Sequence, residues 1–464
     1  MNPASLQQLI DFSYIAAVVG FILALKWLSS PVTAMRGVLI GEIASGVAVI
    51  ATLFDPQVVH YRWILIALII GAGVGVPLGM VKMTAVPQRT ALSHAFGAMS
   101  AALIGIAEYY AGTPKLSKFG MAEIGLEVII GSLTFTGSII AAGKLQEILP
   151  QRPITYRGQN IVSLSVLSAA IVLMVILIFH PEYAHLFAAM VVVALIFGIM
   201  LVMPIGGADM PTVISLLNSY AGFSAALLGF VLSSKVLVVA GALDGASGFV
   251  LSVIMCKAMN RSFSNVLFGA FGQVQTSAAG VTEERTARSA TAEEAAAILA
   301  AANKVVIVPG YGMAVAQAQH KVRELYDVLT KRGVDVKFAI HPVAGRMPGH
   351  MNVLLAEADV PYDRLVEMDD INAELPQTDV ALVIGANDVT NPAARSDTGS
   401  PIYGMPIIDV DKARTVMVIK RGMSPGFAGI DNPLYYLDKT LMLFGDAKAF
   451  VGNILRELSG NAHG

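Results

Sequence analysis

Long apolar runs fill residues 1 to about 260 of the chain. We predict nine membrane-spanning helices from them, because each run is close to the ~20 residues that a helix needs to cross a bilayer. They lie near 7–28, 33–53, 61–81, 87–110, 121–142, 161–179, 185–203, 212–232 and 235–257. Shorter strand-like runs follow at 304–309, 335–341, 379–384, 406–410, 415–420 and 440–444. Helical or loop segments alternate with these runs, which predicts a parallel, doubly wound sheet.

The two patterns divide the chain into a membrane domain and a second domain. We place the transmembrane domain at 1–262, a linker at 263–290, and a Rossmann-like α/β domain at 291–464. The linker region is small, polar and rich in Ala and Glu, and a short helix is predicted after it at 291–302. The fold class is therefore a polytopic α-helical membrane bundle followed by a Rossmann-like doubly wound parallel-sheet domain.

Composition excludes several other classes of protein. The chain is 55% hydrophobic and 14% charged, with a mean hydropathy of +0.67, whereas soluble domains carry roughly 25% charged residues. A net charge of −2 gives no basis for nucleic-acid binding. The one cysteine, Cys256, allows neither a disulfide framework nor a cysteine metal site, and we predict no metal. The first apolar run lacks a charged leader and a cleavage site, so we expect a retained span.

Lysine and arginine in the short loops predict the orientation. With the N-terminus outside, nine of them fall in inner loops and four in outer loops. Because positive charge favours the inner side, we expect a multi-pass membrane protein with a cytoplasmic C-terminal domain. The glycine strings Gly71–Gly75 and Gly241, Gly245, Gly248 are typical of close helix packing in lipid.

A glycine fingerprint opens the second domain. The strand-like run 304–309 is followed by Gly310-x-Gly312-x-x-Val315 and then by a helix-like run, 316–332. The first glycine allows a tight turn, and the second lets the backbone approach a pyrophosphate at a helix N-terminus. Val315 departs from the usual Gly or Ala at the third position, so the fingerprint is weak by itself.

Two adjacent cations favour NADP over NAD. An NAD-binding domain carries an acid at the end of its second strand, but this strand ends in Ile340-His341-Pro342. A later strand ends in Lys420-Arg421, which suits a 2′-phosphate. The alternative is that both are ordinary solvated cations.

Further glycine-rich turns at strand ends complete the predicted site, because ligands of open α/β sheets lie across the carboxyl ends of the strands. Arg346 is expected at the pyrophosphate, and Asn387 or Asp388 at the nicotinamide; the alternative for Asp388 is a turn or cap residue. The candidate cofactor-binding residues are Gly310, Tyr311, Gly312, Met313, Ala314, Val315, Val343, Ala344, Gly345, Arg346, Met347, Pro348, Gly385, Ala386, Asn387, Asp388, Lys420, Arg421, Gly422, Met423, Gly426, Phe427, Ala428, Gly429, Asp446 and Ala447.

With these residues the chain resembles the β subunit of the proton-translocating nicotinamide nucleotide transhydrogenase across essentially its full length. The matching strings in the second domain lie at 310–319, 341–352, 385–388, 420–421 and 445–448. Those in the membrane domain lie at 206–211, 217–220 and 255–262.

The resemblance implies that the C-terminal domain binds NADP(H), in an orientation flipped from the usual Rossmann one. It also implies a proton-conducting membrane domain and a separate NAD(H)-binding α subunit, and we expect a homodimer of α–β pairs in membrane lipid. Hydride would pass from NADH on the partner to NADP⁺ here, in a Re/Si-specific reaction driven by inward proton movement. Phe427 stands where a Tyr is expected, and Asp244 stands where an apolar residue is expected.

Ionisable residues inside the spans are functional candidates, because they are costly in lipid. His94 lies well inside a span, and an imidazole exchanges protons near neutral pH; the alternative is a packed histidine bonded to a carbonyl. Asn218 lies at a similar depth, roughly 10 Å from the cytoplasmic end of its span. The resemblance places both at key membrane positions. Together with Asp388 of the second domain, His94 and Asn218 are the predicted catalytic residues.

Other acids and the second function class stay open. Glu42, Glu127 and Asp244 are candidates for a buried acid in the outer half-channel.

Asp209 and Arg261 are expected to contact the nucleotide domain, to form interface salt bridges, or to anchor the membrane edge. The alternative to an enzyme subunit is a transporter or channel whose Rossmann-like domain senses NADP(H).

Overall fold

The computed structural model describes residues 3–30, 32–56, 58–81, 85–112, 116–150, 153–260, 286–400, 402–426 and 428–460. These residues form two compact units, and each is described by itself. The first unit contains most of the N-terminal helices, and the second contains the C-terminal sheet.

Within the described ranges, nine helices are long and apolar enough to cross a membrane, which confirms the predicted spans. They are α1 Pro3–Leu28, α2 Ala34–Leu53, α3 Tyr61–Gly79, α4 Val86–Gly112, α5 Lys118–Leu145, α6 Gln159–Phe179, α7 Ala184–Val202, α8 Met210–Val231 and α9 Lys235–Ala258. Their ends differ from the predicted ends by a few residues.

Helix α5 has the largest buried share of the nine and packs on α6 and α7. Small residues permit this contact, since a Cβ added to Gly198 of α7 would lie 2.2 Å from the carbonyl oxygen of Leu133 in α5. Aromatic packing adds to it: Tyr109 of α4 stacks on Phe187 of α7 with ring centroids 3.7 Å apart. In lipid, where apolar surfaces gain nothing from leaving water, such close packing holds helices together.

Helices α8 and α9 pack backbone against backbone. A Cβ added to Gly222 would lie 2.2 Å from the amide nitrogen of Gly245, and one added to Gly241 would lie 2.4 Å from that of Ala226. The Ser219 hydroxyl also donates a 2.8 Å hydrogen bond to the Gly245 carbonyl. The packing role predicted for Gly241 and Gly245 is therefore confirmed.

Helix α3 differs from its neighbours, because none of its residues is buried. Gly71, Gly73 and Gly75 have no described atom within 4 Å of an added Cβ. The packing role predicted for this glycine string therefore has no counterpart within the described chain, and these positions are left to lipid or to another chain.

Six parallel strands form the sheet of the second unit in the described residues. They are β1 Lys304–Pro309, β2 Asp335–Ile340, β3 Leu365–Glu367, β4 Val380–Ile384, β5 Thr415–Lys420 and β6 Thr440–Phe444. The spatial order is β3-β2-β1-β4-β5-β6, with every neighbouring pair parallel. This is the strand order of a doubly wound sheet, in which the direction of growth reverses between β1 and β4. The predicted fold class is confirmed.

Apolar layers cover both faces of this sheet. Val305 and Ile307 of β1 belong to one buried cluster, while Val306 and Val308 belong to the other, as expected for alternating side chains on a strand buried on both sides. The helices of this unit are α10 Ala292–Ala301, α11 Tyr311–Val315, α12 Gln319–Lys331, α13 His350–Glu357, α14 Met368–Glu374, α15 Ala393–Ser396 and α16 Ala447–Gly460.

The strand predicted at 406–410 is wrong. Its apolar residues Ile407 and Ile408 are buried, but the backbone bonds with a side chain instead of a neighbouring strand. The Asn372 amide donates to the Ile407 carbonyl and accepts from the Asp409 N–H, each at 2.9 Å. The sixth strand is instead β3, whose three residues at the sheet edge give too short a pattern to predict.

The end of the predicted linker lies along the sheet. The Met442 N–H donates to the Arg288 carbonyl at 2.7 Å, and the Ala290 N–H donates to the Met442 carbonyl at 3.0 Å. The next residue, Thr291, forms a capping box with Glu294 that starts α10. Residues 263–285 of the linker lie outside the described residues, so the domain boundaries stay a prediction.

We expect Gly222→Ala to lower the midpoint temperature of unfolding of the full chain in detergent. The new methyl group would meet the α9 backbone, which cannot move aside as a flexible side chain can, and overpacking of this kind costs about 1–3 kcal/mol. Gly97→Ala in α4 is the matched control, because nothing described lies within 4 Å of its added Cβ. Equal unfolding temperatures for the two variants would contradict the backbone contact.

Candidate functional site

The turns after β1 and β4 contact each other at the switch point of the sheet. The Gly310 N–H donates to the Ile384 carbonyl and the Gly312 N–H to the Gly385 carbonyl, both at 2.9 Å. A Cβ on Gly310 would lie 2.4 Å from the Cα of Ala386, and Gly385 has a φ of +67°. The fingerprint glycines are therefore required by the packing of two turns, before any ligand is considered.

The helix predicted after the fingerprint, 316–332, is confirmed as α12, but it begins three residues later than predicted. The five-residue helix α11 comes first, then Gln317 with a φ of +49°, and α12 begins at Gln319. The positive φ of Gln317 separates the two helices. A periodicity of apolar positions does not reveal such a turn. A phosphate at the fingerprint would therefore face only a helix of about one turn.

Arg346 from the turn after β2 reaches the fingerprint. Its side chain is 4% exposed, and its guanidinium carbon lies 4.1 Å from the centroid of the Tyr311 ring, a favourable cation–π contact. The Arg346 N–H donates to Nδ1 of His350 at 3.0 Å. Gly345 has a φ of +112° and leaves no room for a Cβ beside His350. The structure thus brings the predicted pyrophosphate residue to the predicted glycine turn.

Two buried histidines hold this turn. Burial lowers the pKa of His341 to about 4, and burial together with the Arg346 charge lowers the pKa of His350 to about 4. His341 is 2.9 Å from the Pro406 carbonyl through Nε2 and accepts from the Val343 N–H through Nδ1. It is therefore a neutral ring protonated on Nε2 at neutral pH.

The Asn387 side chain lies at the carboxyl end of β4. Its Oδ1 accepts from the Tyr435 hydroxyl at 2.7 Å and from the Asn432 amide at 3.0 Å. Burial raises the pKa of Tyr435, so the phenol remains a donor. The buried Nδ2 of Asn387 has no hydrogen-bond partner among the described residues. An unsatisfied buried donor is costly, so it fits an acceptor on a ligand, such as a nicotinamide carboxamide oxygen.

Asp388 holds the segment that follows β5. Its Oδ2 accepts from the Ala428 N–H at 3.0 Å, and a Cβ on Gly426 would lie 2.4 Å from its Oδ1. It also begins the 3₁₀ turn Asp388–Thr390. The alternative role as a turn residue therefore fits its backbone, while its side chain holds Ala428. Phe427 lies outside the described residues.

Lys420 and Arg421 are in different surroundings. The Lys420 ammonium donates to the Ser424 carbonyl, and burial lowers the pKa of Lys420 against the opposing effect of the Asp388 and Asp431 carboxylates. Arg421 is exposed. The alternative of ordinary solvated cations therefore fits Arg421 and does not fit Lys420.

In the turn after β6, the Asp446 carboxylate bonds the backbone of its own segment. Asp446 Oδ1 accepts from the N–H groups of Lys448 and Ala449, both at 3.1 Å, and so caps α16. This geometry gives Asp446 a structural role in the described chain. The remaining predicted cofactor-binding residues lie in the same turns or the residues beside them: Met313, Ala314, Val315, Ala344, Met347, Pro348, Gly422, Met423, Gly429 and Ala447.

In the first unit, the structure brings together the two predicted membrane residues. The Asn218 side chain of α8 hydrogen-bonds the His94 ring of α4, and its Nδ2 donates to Asp244 Oδ1 of α9 at 3.4 Å. Nδ1 of His94 is buried without a partner among the described residues, so the contact with Asn218 falls on Nε2. One amide therefore joins an imidazole and a carboxylate.

The three candidate acids differ in burial. Glu127 of α5 is completely buried and accepts from the Ser224 hydroxyl of α8 at 3.2 Å. Gly105 of α4 makes room for it, since an added Cβ would lie 1.8 Å from Glu127 Oε2. The prediction of a buried acid is confirmed for Glu127, whereas Glu42 and Asp244 are exposed in the single chain.

Polar residues also lie at the ends of the spans. The Lys144 side chain, 1% exposed, donates to the carbonyls of Met203 and Ile205 at 2.5 and 2.7 Å, and so satisfies the end of α7. Asp209 lies in the 3₁₀ turn directly before α8. Arg261 lies outside the described residues, so its predicted contact stays a prediction.

Sequence reasoning missed four residues that support these sites. Asn432 and Tyr435 orient Asn387, His350 accepts from the Arg346 N–H, and Lys144 donates to the Ile205 carbonyl. The first three had no local signal, because their role depends on contacts between distant segments. Lys144 had a local signal, because it directly follows a long apolar run with no turn residue between them.

These two sites define a membrane protein in which a polytopic helical bundle and a dinucleotide-type α/β unit belong to one chain. The family model described as NAD(P) transhydrogenase beta subunit matches residues 10–457. The NAD(P) transhydrogenase subunit beta of Rhodospirillum rubrum is 48% identical over 457 residues, which covers 96% of this chain and 98% of that protein. A sequence from a designated strain of the same species gives the same figures. The chain belongs to the NAD(P) transhydrogenase beta subunit family.

We expect acidification to destabilise the second unit through its buried histidines. Both have a folded-state pKa lowered to about 4, below the roughly 6.5 of an unfolded chain. Their contribution to stability is therefore present above pH 6.5 and is lost as the pH falls toward 4. At pH 5.5 each should cost about 1 kcal/mol, measured as a fall in the unfolding temperature of the full chain relative to pH 7.5.

His341→Gln should reduce this pH dependence, since an amide does not titrate. His320→Gln is the control, because His320 is exposed. An equal fall in unfolding temperature for the parent and for His341→Gln would show that His341 does not contribute.

Proposed function

We propose that this chain is the NADP(H)-binding, proton-translocating subunit of a nicotinamide nucleotide transhydrogenase. It would accept hydride onto NADP⁺ from NADH bound to an α subunit, in the Re/Si-specific class, with inward proton movement as the driving step. The observation that carries the proposal is the presence, in one family member, of a membrane histidine bonded to Asn218 and a doubly wound sheet with a glycine turn at its switch point.

NADP(H) is the proposed cofactor, and the residues at the sheet edge suit it. Lys420 and Arg421 would hold the 2′-phosphate, and the second strand ends in His341 without an acid for a free ribose hydroxyl. Arg346 would contact the pyrophosphate beside Tyr311. Bound NADP⁺ supplies the ring that accepts hydride, while the free Nδ2 of Asn387 would orient its carboxamide.

The covering segment 426–429 would control access to that ring. Asp388 accepts the Ala428 N–H and leaves room only for a glycine at 426. A segment tied by a side-chain hydrogen bond can close over a ligand and reopen at modest cost, because one such bond contributes only about 0.5–3 kcal/mol. We propose that Asp388 acts in hydride transfer by setting this closure.

An α subunit is the proposed source of the second nucleotide. The chain has one glycine fingerprint, at Gly310, whereas transfer between two nicotinamides requires two sites whose reacting atoms approach within about 3–3.5 Å. The ring bound here must therefore be presented at the surface of this unit, near Asn387. We further propose a homodimer of α–β pairs in the bacterial inner membrane, with the C-terminal unit in the cytoplasm, where nicotinamide nucleotides are found.

His94 is the proposed proton-carrying group of the membrane domain. It is bonded to a residue that cannot titrate near neutral pH, Asn218, so the bond can orient the ring without competing for its proton. Glu127, enclosed by Gly105 and Ser224, is the proposed acid of the outer half. The alternative function, a transporter or channel that senses NADP(H), predicts no hydride transfer with an NAD(H)-binding partner.

We expect Lys420→Ala with Arg421→Ala to weaken NADPH binding by roughly 3 kcal/mol, at about 1.5 for each charge-assisted bond. NADH binding should change little, because NADH has no 2′-phosphate. Titration of the full chain in detergent with both nucleotides measures the difference. Lys439→Ala is a suitable control, since that lysine donates to the Ala413 carbonyl away from these turns. Equal losses for NADPH and NADH would refute the 2′-phosphate assignment.

We expect His94→Ala to abolish proton pumping while NADPH binding is retained. The ring is the proposed carrier, and alanine cannot accept a proton. The complex with its α subunit is reconstituted in liposomes, and acidification of the lumen during hydride transfer is followed with a pH-sensitive dye. Asn218→Ala should give a milder defect, because it removes the orienting bond and leaves the carrier. Normal pH-gradient formation by His94→Ala would exclude the proposed role.

A further inference from the structure

The carboxylate of Asp244 completes a chain of three side chains across three helices. Asn218 has one amide, and that amide serves two neighbours: the His94 ring and, through Nδ2 at 3.4 Å, Asp244 Oδ1. With Nδ2 turned to the carboxylate, Oδ1 of the amide is left to accept from Nε2–H of His94. The orientation of the amide therefore follows from the acid.

Glycines fix this arrangement. A Cβ on Gly248 of α9 would lie 2.7 Å from Asn218 Nδ2, so only glycine lets the amide lie against α9. One turn earlier, the contact between Gly222 and Gly245 holds the two helix backbones together beside Asp244. The close approach of α8 and α9 therefore keeps the backbones that carry Asn218 and Asp244 next to each other.

Few other ionisable groups face this cluster. Asn218 is the side-chain partner identified for His94 and for Asp244 in the described chain. On α8, Tyr220 is two residues beyond Asn218; on α5, Glu127 is bonded to Ser224, roughly 9 Å further along α8. On α4, Arg89 is roughly 7.5 Å from His94 along the helix, and Glu108 is roughly 21 Å from it in the other direction. Asp244 is exposed in the single chain. Ionisable residues of membrane helices generally face the bundle interior or a water-filled cavity, so we expect water at this surface.

We propose that the Asp244 carboxylate, acting through the Asn218 amide, sets the pH range in which His94 takes up and releases its proton. This inference rests on the proposed proton-carrying role of His94. An ionised acid close to an imidazole favours its protonated form, and the bridging amide transmits the same preference by presenting an oxygen to Nε2–H. Asp244 is thus a positioning residue, and it extends the working range of the pump toward alkaline pH.

The experiment uses the complex with its α subunit in liposomes, and it records the rate of proton-coupled hydride transfer between pH 5.5 and 9. Asp244→Asn removes the charge and keeps the shape and an oxygen acceptor. We expect the alkaline limb of its profile to move to lower pH by about one unit, with the maximal rate retained. Asp244→Val, which removes both the charge and the acceptor, should move the limb at least as far.

Glu108→Gln is the matched control. It also removes one carboxylate from α4, the helix that carries His94, but this carboxylate is far from the cluster. Its profile should overlie that of the parent. A double variant tests the bridge: in the Asn218→Ala background, Asp244→Asn should shift the profile by clearly less than it does in the parent. Equal shifts in both backgrounds would overturn the route through Asn218.

Three further outcomes would overturn the proposal. They are an unshifted Asp244→Asn profile, a shift toward alkaline pH, and a lower maximum at an unchanged midpoint, which would indicate a structural role only. The failure of this inference is distinguishable from that of the proposed function. If His94→Ala still pumps, the proposed function fails; if His94→Ala is inactive in pumping and Asp244→Asn is unshifted, only the role of Asp244 fails.

Discussion

Both candidate sites depend on one constraint, the approach of two backbones where no Cβ fits. In the membrane unit, Gly222 and Gly245 let α8 and α9 touch. In the second unit, Gly310 and Gly385 let the turns after β1 and β4 touch and exchange hydrogen bonds. Because backbone contacts have no rotamers to adjust, they fix the backbone positions from which the neighbouring polar side chains extend. Preorganisation of this kind is what electrostatic and positional catalysis requires.

Much of the fold is predictable from the sequence, and the exceptions have physical causes. In the part of the chain that the structure describes, the nine apolar runs of spanning length form nine helices, since lipid leaves the backbone few alternatives. Five of six strands follow from short apolar runs between helices. The run at 406–410 is misleading because burial alone does not make a strand; its backbone is satisfied by the Asn372 side chain. A three-residue edge strand such as β3 carries too little pattern.

The site divides in the same way between local and distant contributions. Turn glycines and the Lys420-Arg421 pair follow from local sequence, because turn geometry and charge are local properties. The contacts that make these residues specific are distant in sequence. Tyr435 reaches Asn387 across 48 residues, and Asp244 reaches Asn218 across 26. Neither distance leaves a periodic signal, so the acid at 244 can be noticed in the sequence but its partner cannot.

Charge balance at the carboxyl edge of β5 gives a physical reason for selecting a phosphorylated ribose. Lys420 is partly desolvated, which lowers its pKa, and the Asp388 and Asp431 carboxylates only partly offset that cost. Under the proposed function, a dianionic 2′-phosphate would complete the compensation, whereas a ribose hydroxyl would not, which favours NADP(H) over NAD(H). Asp388 also holds the Ala428 N–H. Under the proposed function, a 2′-phosphate that took over the compensation of Lys420 would leave the Asp388 carboxylate to its hydrogen bond with the Ala428 N–H.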